Sequence, residues 1–115
     1  MPKVRYYCGN YFLDVDGDKI REYCGPYRYQ IEGDKLREYC GQYRLQIEGN
    51  KMRRYCGPYI FEFDGSKLRY YCGNYVAEVV GNKIKDYCGQ YRYEVDGFLT
   101  RNQMFFLLAL LYGGF

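Results

Sequence analysis

The feature that most constrains this chain is an internal repeat. The string Tyr-Cys-Gly-x-Tyr begins at Tyr7, Tyr23, Tyr39, Tyr55, Tyr71 and Tyr87, with an unvarying period of 16 residues. A second glycine follows the first by eight residues in every copy, at Gly17, Gly33, Gly49, Gly65, Gly81 and Gly97. Lysine stands two positions further on from Lys19 to Lys83, and Lys3 keeps the same phase. A fixed period of this kind means one supersecondary unit laid against copies of itself. Every unit must then meet its neighbours in the same way.

Each unit reads as two strands and two turns. Between Gly25 and Gly33, Tyr27, Tyr29 and Ile31 alternate with Arg28, Gln30 and Glu32. Strict alternation is the period of a strand with one buried face, which predicts Tyr27 and its equivalents inside, alongside Ile31. The other half, Asp34 to Cys40, carries a shorter strand whose Leu36 points inward between Lys35 and Arg37. Glycine followed by Asp, Asn or Ser, as at Gly33-Asp34, is a two-residue hairpin signal, because such turns need positive φ. At the opposite end, Glu22-Tyr23-Cys24-Gly25 reads as a turn closed by a left-handed glycine. Pro26 and Pro58, which cannot donate to a ladder, fit the first residue of a strand.

These units predict an all-β repeat protein, an antiparallel meander of about 11–12 short strands forming a curved sheet or partial barrel. A β-solenoid is the alternative. The charges favour the meander. Short strands carry Lys and Arg outside and long strands carry mostly Gln, Glu and Asp, so opposite charges become cross-strand neighbours. A parallel solenoid would stack each lysine on another lysine about 4.8 Å away.

The repeats occupy residues 1–97, and 98–115 breaks the pattern. Thr100 with Gln103 forms a capping box, Gly113 suits the residue after a helix, and Met104 to Tyr112 is apolar throughout. That run is far short of the roughly 20 apolar residues of a spanning helix. The C-terminal helix is expected either to lie across the tyrosine-lined face of the sheet and close the core, or to dock on a partner or membrane surface.

The chain has no histidine, no tryptophan, one serine (Ser66) and one threonine (Thr100), against 17 tyrosines. Those absences remove the Ser-His-Asp triad, the imidazole metal sites and most base chemistry near neutral pH. No enzyme activity, cofactor, metal or small-molecule substrate is expected. The six cysteines lie 16 apart with no Cys-x-x-Cys pair. In a meander they are two strands apart, close to 10 Å, beyond the roughly 7 Å reach of a disulfide. They are expected to be free thiols packed in turns as small apolar side chains. With no export signal in the given sequence, the expected location is cytoplasmic.

The leading functional expectation is a non-catalytic structural or self-assembling protein, a homo-oligomer or filament subunit. It rests on open sheet edges, on an outer apolar patch of Ile60, Val76 and Val80, and on the tail residues Phe105, Phe106 and Leu108. An alternative is a binding module for an anionic polymer such as nucleic acid. Its face would be Lys19, Arg21, Tyr23, Lys35, Arg37, Tyr39, Lys51, Arg53 and Tyr55, although 17 basic against 14 acidic residues is a mild excess. A membrane-associated subunit using the C-terminal helix is the third.

Overall fold

A computed structural model describes residues 2–113. Met1, Gly114 and Phe115, the outermost residues of the two segments expected from sequence, lie outside the described residues. Among the described residues there are twelve strands and one helix. Six short strands are β1 (Lys3–Tyr6), β3 (Lys19–Glu22), β5 (Lys35–Glu38), β7 (Lys51–Arg54), β9 (Lys67–Tyr70) and β11 (Lys83–Asp86). They alternate with the longer β2 (Tyr11–Asp16), β4 (Tyr27–Glu32), β6 (Tyr43–Glu48), β8 (Tyr59–Phe63), β10 (Tyr75–Val80) and β12 (Tyr91–Asp96). The helix α1 spans Arg101–Gly113.

Each strand pairs antiparallel with the next, and β12 returns to pair with β1, so the meander closes into a barrel. Closure follows from phase. In the hairpins Glu32 faces Lys35 and Ile31 faces Leu36; at the closing seam Asp96 faces Lys3 and Val95 faces Val4. Strand β1 therefore meets β12 in the register that a seventh unit would have used. The accumulated twist of the ribbon brings the two ends together. Among the described residues no edge strand remains, so the open edges expected from sequence are absent there and cannot template association.

The lumen is apolar, aliphatic for the most part with Phe61 and Phe63 among its side chains. Val4, Val15, Ile20, Leu36, Leu45, Met52, Phe63, Leu68 and Ile84 point inward and are buried. Eight strands can fill a barrel with their own side chains, whereas twelve leave a central space. Helix α1 occupies it. Phe105, Phe106, Leu107, Leu108 and Ala109 are five consecutive residues with no exposed surface, which requires contact on every side of the helix. Its 13 residues span about 20 Å at the standard rise, matching the 21 Å short dimension of a disc 36 Å across. The helix thus runs through the barrel and does not lie on a tyrosine-lined face.

Both ends of α1 are tied to the rims. Thr100 and Gln103 form the expected capping box: the Thr100 N–H donates to Gln103 Oε1, and the Gln103 N–H to Thr100 Oγ1. Gln103 Nε2 also donates to the Gly17 carbonyl at 2.8 Å. Arg101 donates from one guanidinium nitrogen to Gly49 O at 3.2 Å and from another to Phe63 O at 3.1 Å. At the far end Tyr112 Oη donates to Asp86 Oδ1 at 3.3 Å. Replacing Arg101 with Ala is expected to destabilise the protein by about 1 kcal/mol. Amide hydrogen exchange should then accelerate in the first turn of α1 while the strand amides keep their protection.

Candidate functional site

The two rims are built differently. At one, Gly17, Gly33, Gly49 and Gly81 take φ between 61° and 65°, and Gly65 and Gly97 reach 103° and 111°. At the other rim, each unit turns through Tyr-Cys-Gly, with the N–H of Gly25 donating to Glu22 O at 2.9 Å and its equivalents doing the same. The left-handed residue there is the cysteine: φ is 53–56° at Cys8, Cys24, Cys40, Cys56, Cys72 and Cys88. The sequence reading placed the left-handed conformation on the following glycine, and the structure corrects it. Gly25 is needed for a different reason, since a β-carbon there would sit 3.0 Å from Glu22 Cβ. All six thiols are free and exposed, not packed as small apolar side chains.

A β-bulge recurs in every unit and moves the tyrosines outside. Leu36 pairs with Leu45, but Arg37 pairs with Tyr43, so Arg44 has no opposite number. The same skip occurs at Phe12, Arg28, Ile60, Val76 and Arg92. The extra residue reverses the alternation. Tyr43 then shares the outer face with Lys35 and Arg37, whose cationic groups lie 5.9 and 5.6 Å from its ring centroid. Tyr11, Tyr27, Tyr43, Tyr59, Tyr75 and Tyr91 are therefore outside, against the expectation that they line the core.

The reversal also relocates the outer apolar patch expected from sequence. Ile60 and Val76, with Phe12, pack against the core at the cysteine rim; Phe12 stacks on Tyr6 at 4.4 Å. Val80 stays on the outer face at the far end of β10, where it is exposed. The three do not form one patch. Phe105, Phe106 and Leu108 are enclosed in the barrel, out of reach of any partner of the folded chain.

Outside, the tyrosines form a belt next to the cysteine rim. Each bulge residue accepts the N–H of the first tyrosine of a neighbouring turn, as Arg28 O does from Tyr39 at 2.9 Å. This sets six ring pairs around the barrel: Tyr11–Tyr23, Tyr27–Tyr39, Tyr43–Tyr55, Tyr59–Tyr71, Tyr75–Tyr87 and Tyr91–Tyr7. Centroid separations are 4.8–5.4 Å, in the range where aromatic pairs attract. Tyr7, Tyr23, Tyr39, Tyr55, Tyr71 and Tyr87 are each about 40% exposed.

The residues assigned to a polyanion face do come together on the outer wall, but their arginines are already paired. Arg21 meets Asp14 at 3.1 Å, Arg37 meets Glu32 at 3.0 Å and Arg53 meets Glu48 at 3.3 Å. Lys19 bridges Asp18 at 3.3 Å, and Lys35 and Lys51 lie over Tyr43 and Tyr59. Tyr23, Tyr39 and Tyr55 belong to the ring pairs. The three arginine–carboxylate pairs are the cross-strand charge pairs that favoured a meander.

The belt tyrosines lean on the same carboxylates. Tyr43 Oη donates to Glu32 at 2.7 Å and Tyr59 Oη to Glu48 at 2.6 Å; Tyr11 Oη donates to Asp96. The hydrogen bond from Tyr43, then Arg37, holds the Glu32 carboxyl below its usual range. In return, carboxylate acceptors push Tyr11, Tyr43 and Tyr59 above the usual phenol value. A phenol raised in the folded state contributes stability that is fully present below the unfolded value of 10.0 and is lost as pH rises through the folded value. Alkaline titration followed by tyrosinate absorbance is expected to lose a late-ionising component when Tyr11, Tyr43 and Tyr59 are together replaced by Phe. A lost component centred on the ordinary phenol value would contradict this.

Among the described residues, no group of three or more Cys, Asp or Glu side chains converges as a metal site, and no helix is long and apolar enough to cross a membrane. A cavity of about 440 Å³ opens beside the start of α1, lined by Phe63, Val79, Val95, Leu99 and Met104. No protein-family model, curated protein or solved structure matches this chain.

Proposed function

We propose that this chain is a non-catalytic structural protein that self-associates through the cysteine–tyrosine end of its barrel. The observation that carries the reading is where the exposed aromatics lie. With the sheet closed, association must use the wall or an end. On the wall Arg21, Arg37 and Arg53 are held by Asp14, Glu32 and Glu48, and a polyanion that recruited those arginines would have to displace these carboxylates. The belt at the cysteine rim, by contrast, carries the exposed tyrosines of all six turns, joined by Tyr6 and Tyr70 at 53% and 51% exposure, whereas among the described residues the opposite rim exposes a single large aromatic, Phe98, at 85%. Tyrosine is enriched where proteins meet, because it buries a large ring and keeps a polar tip.

Area and symmetry fit a second copy of the same chain. A circular end 36 Å across covers roughly 1,000 Å², comparable to the about 800 Å² per partner of a standard interface. The six units give the end an approximate six-fold axis along α1. A two-fold axis perpendicular to it sets like against like, the arrangement of the commonest homodimers.

Sedimentation of the full chain in reducing buffer, from micromolar to millimolar concentration, tests the reading. A concentration-dependent dimer is expected, and it should be lost when Tyr7, Tyr23, Tyr39, Tyr55, Tyr71 and Tyr87 are replaced by Ser. A monodisperse monomer over the whole range would overturn it.

A further inference from the structure

The cysteines at this end occupy a backbone conformation that suits them poorly. A side chain at φ near +55° crowds its own carbonyl, and glycine or asparagine is the usual occupant. The chain itself supplies the comparison. At the opposite rim all six left-handed positions are glycine, whereas at this rim all six are cysteine. A turn that required only left-handed geometry would carry the residue used at the other end. Burial does not account for the choice, since all six cysteines are exposed residues. The thiol itself remains as the reason.

Geometry restricts what these thiols can do. Neighbouring cysteines belong to turns two strands apart, near 10 Å, and no disulfide joins them; the reach of a disulfide is about 7 Å. Their chemistry is directed outward. All six also sit on one end of the disc and none on the other, so a second copy applied end to end presents six thiols at the same radius.

We propose that the six rim cysteines are thiol–disulfide exchange sites that lock two copies of this chain end to end when a small-molecule disulfide is present. This rests on the self-association proposed above and adds its redox control. The thiolate of one copy attacks the small disulfide, forming a mixed disulfide and releasing one equivalent of small thiol, which takes up the proton the cysteine lost. The facing cysteine of the second copy then attacks the protein sulfur of that mixed disulfide. The inter-copy bond forms and the second small thiol leaves with the second proton. Two protein thiols are oxidised and one small disulfide is reduced to two thiols. Excess dithiol reductant runs the sequence backward.

The test is oxidation of the purified full chain with oxidised glutathione, read by non-reducing electrophoresis and intact mass. The expected product is a discrete covalent dimer that returns to monomer with dithiothreitol. Because every thiol is on one end, the product stops at two copies. A ladder of higher oligomers, monomers carrying only glutathione, or no reaction would each overturn the proposal. The variant with all six cysteines replaced by Ser, checked for fold by circular dichroism, is expected to give no covalent dimer. Sedimentation of that variant and of the unmodified chain in reductant reports the non-covalent association alone. A monomer there defeats the association reading, whereas a reversible dimer there without a covalent product on oxidation defeats only the disulfide lock.

Discussion

Deleting residues 98–115 is expected to leave a chain with no cooperative thermal transition. The reason is the geometry of a twelve-stranded barrel, whose lumen its own side chains do not fill. Phe105, Phe106, Leu107 and Leu108 are each wholly buried there. Burial of a large apolar side chain contributes about 1.5–3 kcal/mol, so these four account for roughly 6–12 kcal/mol. That is comparable to the entire net stability of a typical domain, about 5–15 kcal/mol. The lumen faces of the twelve strands would also be left against water. The measurement is circular dichroism with a melt, supported by binding of a hydrophobic dye to the truncated chain. A sharp two-state melt of residues 1–97 would show that the barrel closes on its own. Leu108→Asp makes the same point with one substitution, because a carboxylate in the centre of the lumen has no partner and must be desolvated.

The second large effect runs the other way. Replacing all six cysteines by glycine is expected to stabilise the protein. A left-handed conformation costs a non-glycine residue about 1–2 kcal/mol, and glycine gives back about 0.5–1 kcal/mol through the entropy of the unfolded chain. The difference is roughly 0–1.5 kcal/mol at each site, about 0.5 kcal/mol on a conservative count. The turns are well separated, so the gains add, to roughly 3 kcal/mol and a rise in Tm on the order of 10 °C. Replacing the same residues by valine, whose branched β-carbon tolerates this backbone worst, is expected to lower Tm. Both melts are run in reductant, so that disulfide formation plays no part. A six-glycine variant no more stable than the parent would remove the conformational penalty, and with it the ground for assigning the cysteines to their thiols.

Much of the architecture is written in local spacing. The period, the two glycine signals, the inward Leu36 series and the alternation of charge between short and long strands define the meander, its register and its ion pairs without any long-range information. The capping box at Thr100 and Gln103 marks the start of the helix for the same reason. The faces near the cysteine rim were not legible, because the bulge lies between two tyrosines that a strict alternation assigns to one side. One signal was present: the skipped position holds Arg28, Arg44 and Arg92 in three units but Phe12, Ile60 and Val76 in the others. A site that takes charge and apolar bulk equally is neither core nor wall, which is what a rim bulge provides. The left-handed cysteine had no comparable signal, since the adjacent glycine fits the sequence pattern of the turn equally well.

What the sequence determined by itself is the unit: two strands, two turns, an apolar inner stripe and a charged outer one, because each depends on residues close in the chain. What the tertiary structure decided is everything that requires the units to add up. Lys3-Val4-Arg5 is in phase with every other short strand, yet only the summed twist of twelve strands delivers it to β12 and abolishes the edges. The diameter that results is a property of the closed ring, and it decided between the two expectations for the apolar tail: the helix closes the core from the centre of the lumen and is not left free to dock. The same closure gathers thiols spaced 16 residues apart onto one face, where each can reach a neighbouring molecule and none can reach another in its own chain.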